Sequence, residues 1–211
     1  MKLYSGPLSL FTAKVRIALA EKGLAYDRID VPFSRAGYSP KLPEMLAINP
    51  KGQVPVMIDG ELALYDSTII LEYLEERYPK PPLYPADVCE KALCRQAEAA
   101  ADEIFFPHVW ALISEVFYKP EAERDAARIE AARAALAEQY RGLDAKLRAR
   151  EYLCGTFSVA DIGYVLTITF ASRLGAPPPP LDHLGAWLAR VTTRPTVAAE
   201  ITGMSAAMAR M

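Results

Sequence analysis

Residues 53–79, QVPVMIDGELALYDSTIILEYLEERYP, hold two short strands, a tight turn and the start of a helix in one uninterrupted run. Val54–Ile58 and Leu62–Tyr65 read as strands, and Asp59-Gly60 between them predicts a two-residue hairpin turn. Thr68–Tyr78 then changes to helical spacing, with Ile69, Ile70, Tyr73 and Leu74 expected to face inward. Asp66-Ser67 sits where strand gives way to helix. The first N–H groups of a helix lack internal partners, and the helix dipole favours negative charge there. A serine hydroxyl adds a donor, and an aspartate beside it can hold an ammonium. The junction therefore reads as a receptor for an α-amino-acid head group, a role compatible with simple helix capping.

Working outward, Lys2–Ser5 is a strand that Gly6-Pro7 breaks. Ala13–Lys22 reads as a helix stopped by Gly23, and Tyr26–Val31 alternates as a second strand. A polar, proline-bearing connector with one short helix near Pro43–Ala47 fills Pro32–Pro50. The order is β-α-β, connector, β-β-α: parallel strands joined by a crossover helix, then an antiparallel hairpin.

Downstream, the proline-rich run Pro79–Pro85 (PKPPLYP) reads as a linker, and strand signals cease. Val88–Tyr118 is expected as one long helix kinked at Pro107, and Glu121–Arg150 as a second. Val159–Leu174, apolar nearly all round, is a third and central one. Ser158-Val159-Ala160-Asp161 supplies its capping box, and Phe157 and Ile162 a hydrophobic staple. Pro177–Pro180 forces an extended connector, followed by helices over Leu181–Val191 and Pro195–Gly203. The class is α+β with two domains: residues 1–79, a linker at 80–87 and an all-helical domain at 88–211.

Composition narrows the function. Of 211 residues, 52% are hydrophobic, and 24 basic against 26 acidic residues leave a net charge of −2. Nothing in that balance favours nucleic acid or an anionic membrane. The N-terminus is too polar for a secretory signal, and Asp161 interrupts the longest apolar run, so no transmembrane helix is expected. Cys89, Cys94 and Cys154 lack metal-ligand spacing and read as reduced thiols of a cytoplasmic protein. With only His108 and His183 beside them, no metal site is expected.

Five motifs in order carry a family resemblance: Leu3-Tyr4-Ser5; Lys14-Val15-Arg16-Ile17-Ala18-Leu19; Asn49-Pro50-Lys51-Gly52-Gln53-Val54-Pro55; Asp66-Ser67; and Thr156-Phe157-Ser158-Val159-Ala160-Asp161. Together they cover essentially the whole chain, which resembles the soluble glutathione transferases. Ser9–Leu19 looks most like the zeta, theta and delta branches. The resemblance implies a thioredoxin-like β-α-β-β-β-α domain followed by an all-α domain, glutathione as cosubstrate and a homodimer.

It also implies roles. Asp66, where the family usually has Glu or Gln, becomes the ammonium partner and Ser67 the carboxylate partner. Val54-Pro55 matches a cis X-Pro position, whose backbone would pair with the cysteinyl part by strand addition. Lys41 and Gln53, with Lys51 behind them, are candidates for the glycine carboxylate. Ser9 matches the catalytic serine, with Thr12 as runner-up and Ser5 third. A thiol of pKa ~8.5 is only about 3% ionised at neutral pH, so a hydroxyl donor and a helix N-terminus would have to lower it. The loop holds no cysteine, which favours addition or substitution over thiol exchange. Leu8, Leu10 and Phe11 with Phe105, Phe106, Val109, Trp110 and Ile113 are expected to line a cleft for a small hydrophobic electrophile. Two alternatives stay open. One is a glutathione-dependent isomerase, dehalogenase or ether-cleaving enzyme, although Ser9-Leu10-Phe11 replaces the zeta branch's Ser-Ser-Cys. The other is a non-catalytic ligand-binding or regulatory protein of the same fold.

Overall fold

A computed structural model describes residues 1–34, 37–39 and 41–210. It divides into two compact units, Met1–Leu83 together with the chain from Thr196 onward, and Tyr84–Pro195.

The first unit is built on β1 (Lys2–Ser5), whose Leu3, Tyr4 and Ser5 are buried. β1 pairs in parallel with β2 (Asp27–Asp30) and antiparallel with β5 (Val56–Asp59), which pairs antiparallel with β6 (Leu62–Tyr65). The sheet order is β2-β1-β5-β6, the mixed sheet expected from sequence. The crossover helix α1 (Leu10–Glu21) begins three residues before the expected Ala13, because Ser9 caps it: the Ser9 Oγ accepts from the Thr12 N–H at 3.1 Å. In the connector, β3 (Phe33–Ser34) and β4 (Gly37–Tyr38) form a two-stranded ribbon absent from the sequence reading. Positions 35, 36 and 40 of that connector lie outside the described residues. α2 (Pro43–Ile48) is the short helix expected there.

Two local readings need correction. Asp59 pairs with Leu62, so the hairpin turn is Gly60-Glu61, one residue later than Asp59-Gly60. Gly60 takes φ +62°, which glycine adopts without a Cβ penalty. In α3 (Ser67–Arg77) the buried face is Ser67, Ile70, Leu71 and Leu74, with i, i+3, i+4, i+7 spacing, and Ile69 is 50% exposed. Leu71 takes the inward place expected of Ile69. The end of α1 is tied to the end of α3 through Lys22. Its Nζ donates to Glu75 Oε2 (2.7 Å), Tyr78 O (2.7 Å) and Pro81 O (2.9 Å).

The second unit is helical. From Val88 to Phe117 the chain is one helical run: α4 (Val88–Ala100), a π turn (Ala101–Phe105), α5 (Phe106–Leu112) and a second π turn (Ile113–Phe117). The first π turn ends two residues before Pro107, which has no N–H to give the helix. A 3₁₀ turn at Glu121–Glu123 precedes α6 (Ala126–Leu147), which Asp125 caps. α7 (Val159–Arg173) is buried on nearly every face and carries the expected capping box. Phe105 packs against Tyr140 and Tyr164 at 5.6 and 5.7 Å between ring centres. α8 (Asp182–Thr192) completes this unit.

The last helix, α9 (Pro195–Ala209), runs six residues past the expected stop at Gly203. From Thr196 it belongs with the first unit and not with the helical half. The Glu200 carboxylate grips Arg16 of α1 through both oxygens, and the Thr196 hydroxyl donates to Glu21.

Candidate active site

The sheet register gathers three segments that are distant in sequence. Tyr4 of β1 stands opposite Val56 of β5, which stands opposite Tyr65 of β6. β1 and β6 both run antiparallel to β5, so their C-terminal ends lie where β5 begins. The loop Gly6–Ser9, the entry Val54-Pro55 and the junction Asp66-Ser67 therefore share one end of the sheet.

Of the three hydroxyls considered at the α1 loop, one is available. Ser9 is half-buried; its oxygen accepts from Thr12 N–H, and its hydrogen has no acceptor among the described residues. Thr12 is wholly buried with its Oγ1 unpartnered among those residues. Ser5 is buried and its Oγ accepts from Arg16 Nη1 at 2.5 Å. The same Nη1 donates to Gly6 O at 3.1 Å, so Arg16 positions the start of the loop. Tyr4 is core, as expected. Burial, with the Glu44 carboxyl nearby, pushes its phenol up to about 12, so it stays neutral. Tyr38 of β4 was not foreseen: its ring lies over Gly6, where a Cβ would come within 2.5 Å.

The second segment is held by Asn49, another residue the sequence reading did not single out beyond its motif. Buried at 2% exposure, it donates from Nδ2 to Gln53 O (2.8 Å) and accepts at Oδ1 from Lys51 N–H (3.0 Å). Asn before Pro-Lys-Gly is itself a turn signal, since its side chain bonds the backbone two residues on. Gly52 has φ +60°, and a Cβ there would lie 2.7 Å from Lys41 Nζ. The exposed Lys41 thus crosses the loop beside Gln53, also exposed. The Val54-Pro55 peptide is cis. Val54 precedes the ladder, and no hydrogen bond engages its N–H or C=O among the described residues.

At the third segment Asp66, not Ser67, is the cap: its Oδ1 accepts from Thr68 N–H at 3.0 Å. Asp66 has φ 79° and ψ 126°, and it is the one non-glycine residue with positive φ among those described. Such a backbone persists only when its surroundings over-determine it. Ser67 is the first helical residue, 4% exposed, and neither its N–H nor its Oγ has a partner among the described residues. Donors at the start of an eleven-residue helix are suited to receive an anion.

The apolar candidates fall into two groups. In the first unit Leu8 is buried and Phe11 half-buried. In the second, Val109 is fully buried and Ile113 nearly so, whereas Phe106 is half-buried and Trp110 is 48% exposed. Phe106 and Trp110 stand 6.3 Å apart, and Tyr118, missed in the sequence reading, extends the row at 6.3 Å from Trp110. Among the described residues no group of His, Cys, Asp and Glu is arranged to hold a metal.

Comparison with known proteins decides the family. The glutathione S-transferase N-terminal domain matches residues 3–82 and the glutathione S-transferase C-terminal domain residues 106–195. Glutathione S-transferase 3 of Zea mays is 31% identical over 205 residues, spanning 92% of this chain and 90% of that protein. The chain belongs to the glutathione S-transferase family. A theta-class glutathione S-transferase from Xanthomonas axonopodis pv. citri, solved with glutathione bound, superposes with a TM-score of 0.85. It is 33% identical over 95% of this chain and 96% of its own. Maleylacetoacetate isomerase of Pseudomonas aeruginosa is 47% identical over 94 residues, 44% of either chain. The chain spans about half the length of the curated relatives that it matches first, from 42% to 57%. No helix among the described residues is long and apolar enough to cross a membrane.

Proposed function

We propose that this transferase binds glutathione along the end of the sheet and conjugates it to a small hydrophobic electrophile. The observation that carries the reading is a set of backbone and hydroxyl groups there that nothing engages among the described residues: Ser67 N–H and Oγ, Val54 N–H and C=O, and Ser9 Oγ–H. Each fits one part of the tripeptide. Ser67 receives the γ-glutamyl carboxylate, and the Asp66 carboxylate holds the neighbouring ammonium. Val54 pairs with the cysteinyl backbone as an added strand would. Lys41 and Gln53 meet the glycine carboxylate. Bound there, glutathione supplies the nucleophile: its sulfur bonds to the electrophilic carbon as a leaving group departs or a double bond takes up a proton. Ser9 donates to that sulfur at the N-terminus of α1, and both effects favour the charged form. Arg16 and Asn49 bond the backbone of the two loops and act as positioning residues.

Leu8 and Phe11 supply apolar surface beside Ser9. The exposed Trp110, with Phe106, is the aromatic surface assigned to electrophile binding. Trp110→Ala is expected to raise KM for an aromatic halide while leaving KM for glutathione within about twofold; equal changes in both would remove Trp110 from that role. The reaction is tested first by calorimetry with glutathione: no affinity would end every transferase reading of this chain.

A second reading, cis–trans isomerisation, is favoured by the 47% identity to the isomerase over 94 residues. Ser9-Leu10-Phe11 puts a phenylalanine where that branch carries a thiol, so conjugation stands first. Assay of maleylacetoacetate isomerisation separates the two. A cytoplasmic homodimer is part of the proposal. It is supported by exposed apolar side chains on each unit: Leu62, Tyr65 and Ile69 on one, Val88 and Leu93 on the other.

A further inference from the structure

Cys94 of α4 and Cys154, in the turn before α7, are distant in sequence and meet inside the second unit. Their sulfurs lie within hydrogen-bonding reach of each other, and the Ser158 hydroxyl lies against both. Packing from two sides brings them together. At Gly163 of α7 a Cβ would stand 3.3 Å from the Ala101 Cβ, so the helical run that begins with α4 presses close on α7 there. Cys94 comes two turns before Ala101 on the same helix face. It therefore faces the start of α7, where the Ala160 N–H reaches its sulfur. Cys154 is aimed by its turn: it bridges to Thr156 across Gly155, whose φ of +84° suits glycine. The Asp161 carboxylate accepts from Leu153 N–H at 3.0 Å and Ser158 N–H at 2.9 Å, which holds both ends of that turn against α7. Cys94 is fully buried and Cys154 only half-buried, so solvent reaches one sulfur and the other stands behind it.

We infer that Cys94 and Cys154 are a reversible dithiol–disulfide pair, a modification site of the helical unit that a hydroperoxide oxidises. The Cys154 S–H beside it holds the Cys94 thiol below its ordinary value, and Cys94 in turn pushes Cys154 up. The pair thus gives up its first proton more readily than a lone thiol and shares the remaining one. Proton transfer across the S–H···S contact puts the thiolate on Cys154, the sulfur that solvent reaches, and the thiolate is the nucleophile. It attacks one peroxide oxygen: an S–O bond forms, the O–O bond breaks, and the departing oxygen takes a proton to leave as an alcohol. The Cys94 sulfur then attacks the Cys154 sulfenic acid. The S–S bond forms, the S–O bond breaks, and hydroxide leaves with the Cys94 proton as water. Two thiols and one hydroperoxide give one disulfide, one alcohol and one water. A reachable thiolate with a resolving thiol behind it is the arrangement of redox-sensing cysteines. The inference does not rest on the glutathione reading.

The test uses the full chain carrying Cys89→Ser, which removes the exposed thiol. Hydrogen peroxide is added, the remaining thiols are alkylated in denaturant, and the peptides are mapped. Expected are loss of both thiols, an intact mass lower by two hydrogens, a peptide pair joined through Cys94 and Cys154, and full recovery with dithiothreitol. With Cys94→Ala added, nothing resolves the Cys154 sulfenic acid, so dimedone should label it roughly tenfold more than when Cys94 is present. Two surviving thiols, a Cys154 sulfinic acid beside an intact Cys94 thiol, a disulfide joining two molecules, or equal dimedone labelling with and without Cys94 would overturn the proposal. The peptide mapping requires no substitution in the core, so it decides the matter even where Cys94→Ala fails to fold.

Discussion

Ser9 and Thr12 stand three residues apart at one helix end, and burial separates them. Ser9 reaches solvent with a hydrogen to donate, whereas Thr12 is enclosed with its Oγ1 unpartnered. Ser9→Ala is expected to raise the pKa of bound glutathione by about 1–2 units, each unit being about 1.4 kcal/mol of lost preference for the thiolate. The sign follows: activity rises with pH as the thiol ionises, so the rising limb of kcat/KM moves to higher pH in the variant. Ultraviolet titration of the bound thiolate reads the same shift, and an unmoved curve would exclude Ser9. The cap is lost as well, so stability should fall by ~1 kcal/mol. Thr12→Val removes a hydroxyl that satisfies nothing among the described residues. Its melting temperature should equal or exceed the parent's and its thiol titration stay put; an alkaline shift would give Thr12 the role. Asp66→Asn keeps a side chain that tolerates left-handed backbone and caps helices, so stability should hold. If Asp66 holds the ammonium as proposed, losing its charge should weaken glutathione binding by about tenfold or more in calorimetry.

At the scale of elements, α7 depends on one carboxylate. Asp161 accepts from Leu153 N–H, Ser158 N–H, Ser158 Oγ–H and Trp187 Nε1–H, the last at 2.7 Å. Asp161→Ala strands these donors in the core and should cost about 3 kcal/mol or more, read as a lower denaturation midpoint at unchanged slope. Burial pushes this carboxyl up, against its four donors. A raised folded value means that its favourable contribution is full below the unfolded value and is lost as pH rises through the folded one. The capping box itself was legible, because Ser158 and Asp161 are three residues apart in sequence. The start of α1 was not: Gly6-Pro7-Leu8-Ser9 reads as loop until the Ser9–Thr12 bond shows a cap. The face of α3 was misread at Ile69 for a related reason. Two adjacent isoleucines offer two phases of the same period, and only packing selects one.

For the molecule as a whole, the proposed homodimer makes a prediction about Ile69, exposed on α3. Ile69→Asp should leave the monomer's fold intact by circular dichroism and shift the species seen by light scattering toward monomer; an unaltered mass would move the interface elsewhere. The course of α9 illustrates what chain order conceals. Read along the sequence, the residues after Thr196 continue a helical half, yet they fold back with the sheet unit. Arg16 and Glu200 are 184 positions apart, and no local pattern links them.

The sequence by itself determined the four strands of the main sheet, the principal helices and their order, because hydrophobic period, turn residues and caps act over a few neighbours. It also placed Asp66-Ser67 at a helix start, and it made Ser9 and Val54-Pro55 candidates through their place in the motifs. Tertiary structure alone decided which of the hydroxyls is available, that Asn49 and Arg16 hold the loops, that Asp66 adopts positive φ, and that the last helix folds back with the sheet unit. Each of these depends on burial or on pairing across long stretches of chain, and neither can be read from local pattern, since both arise only once the strands have chosen their register.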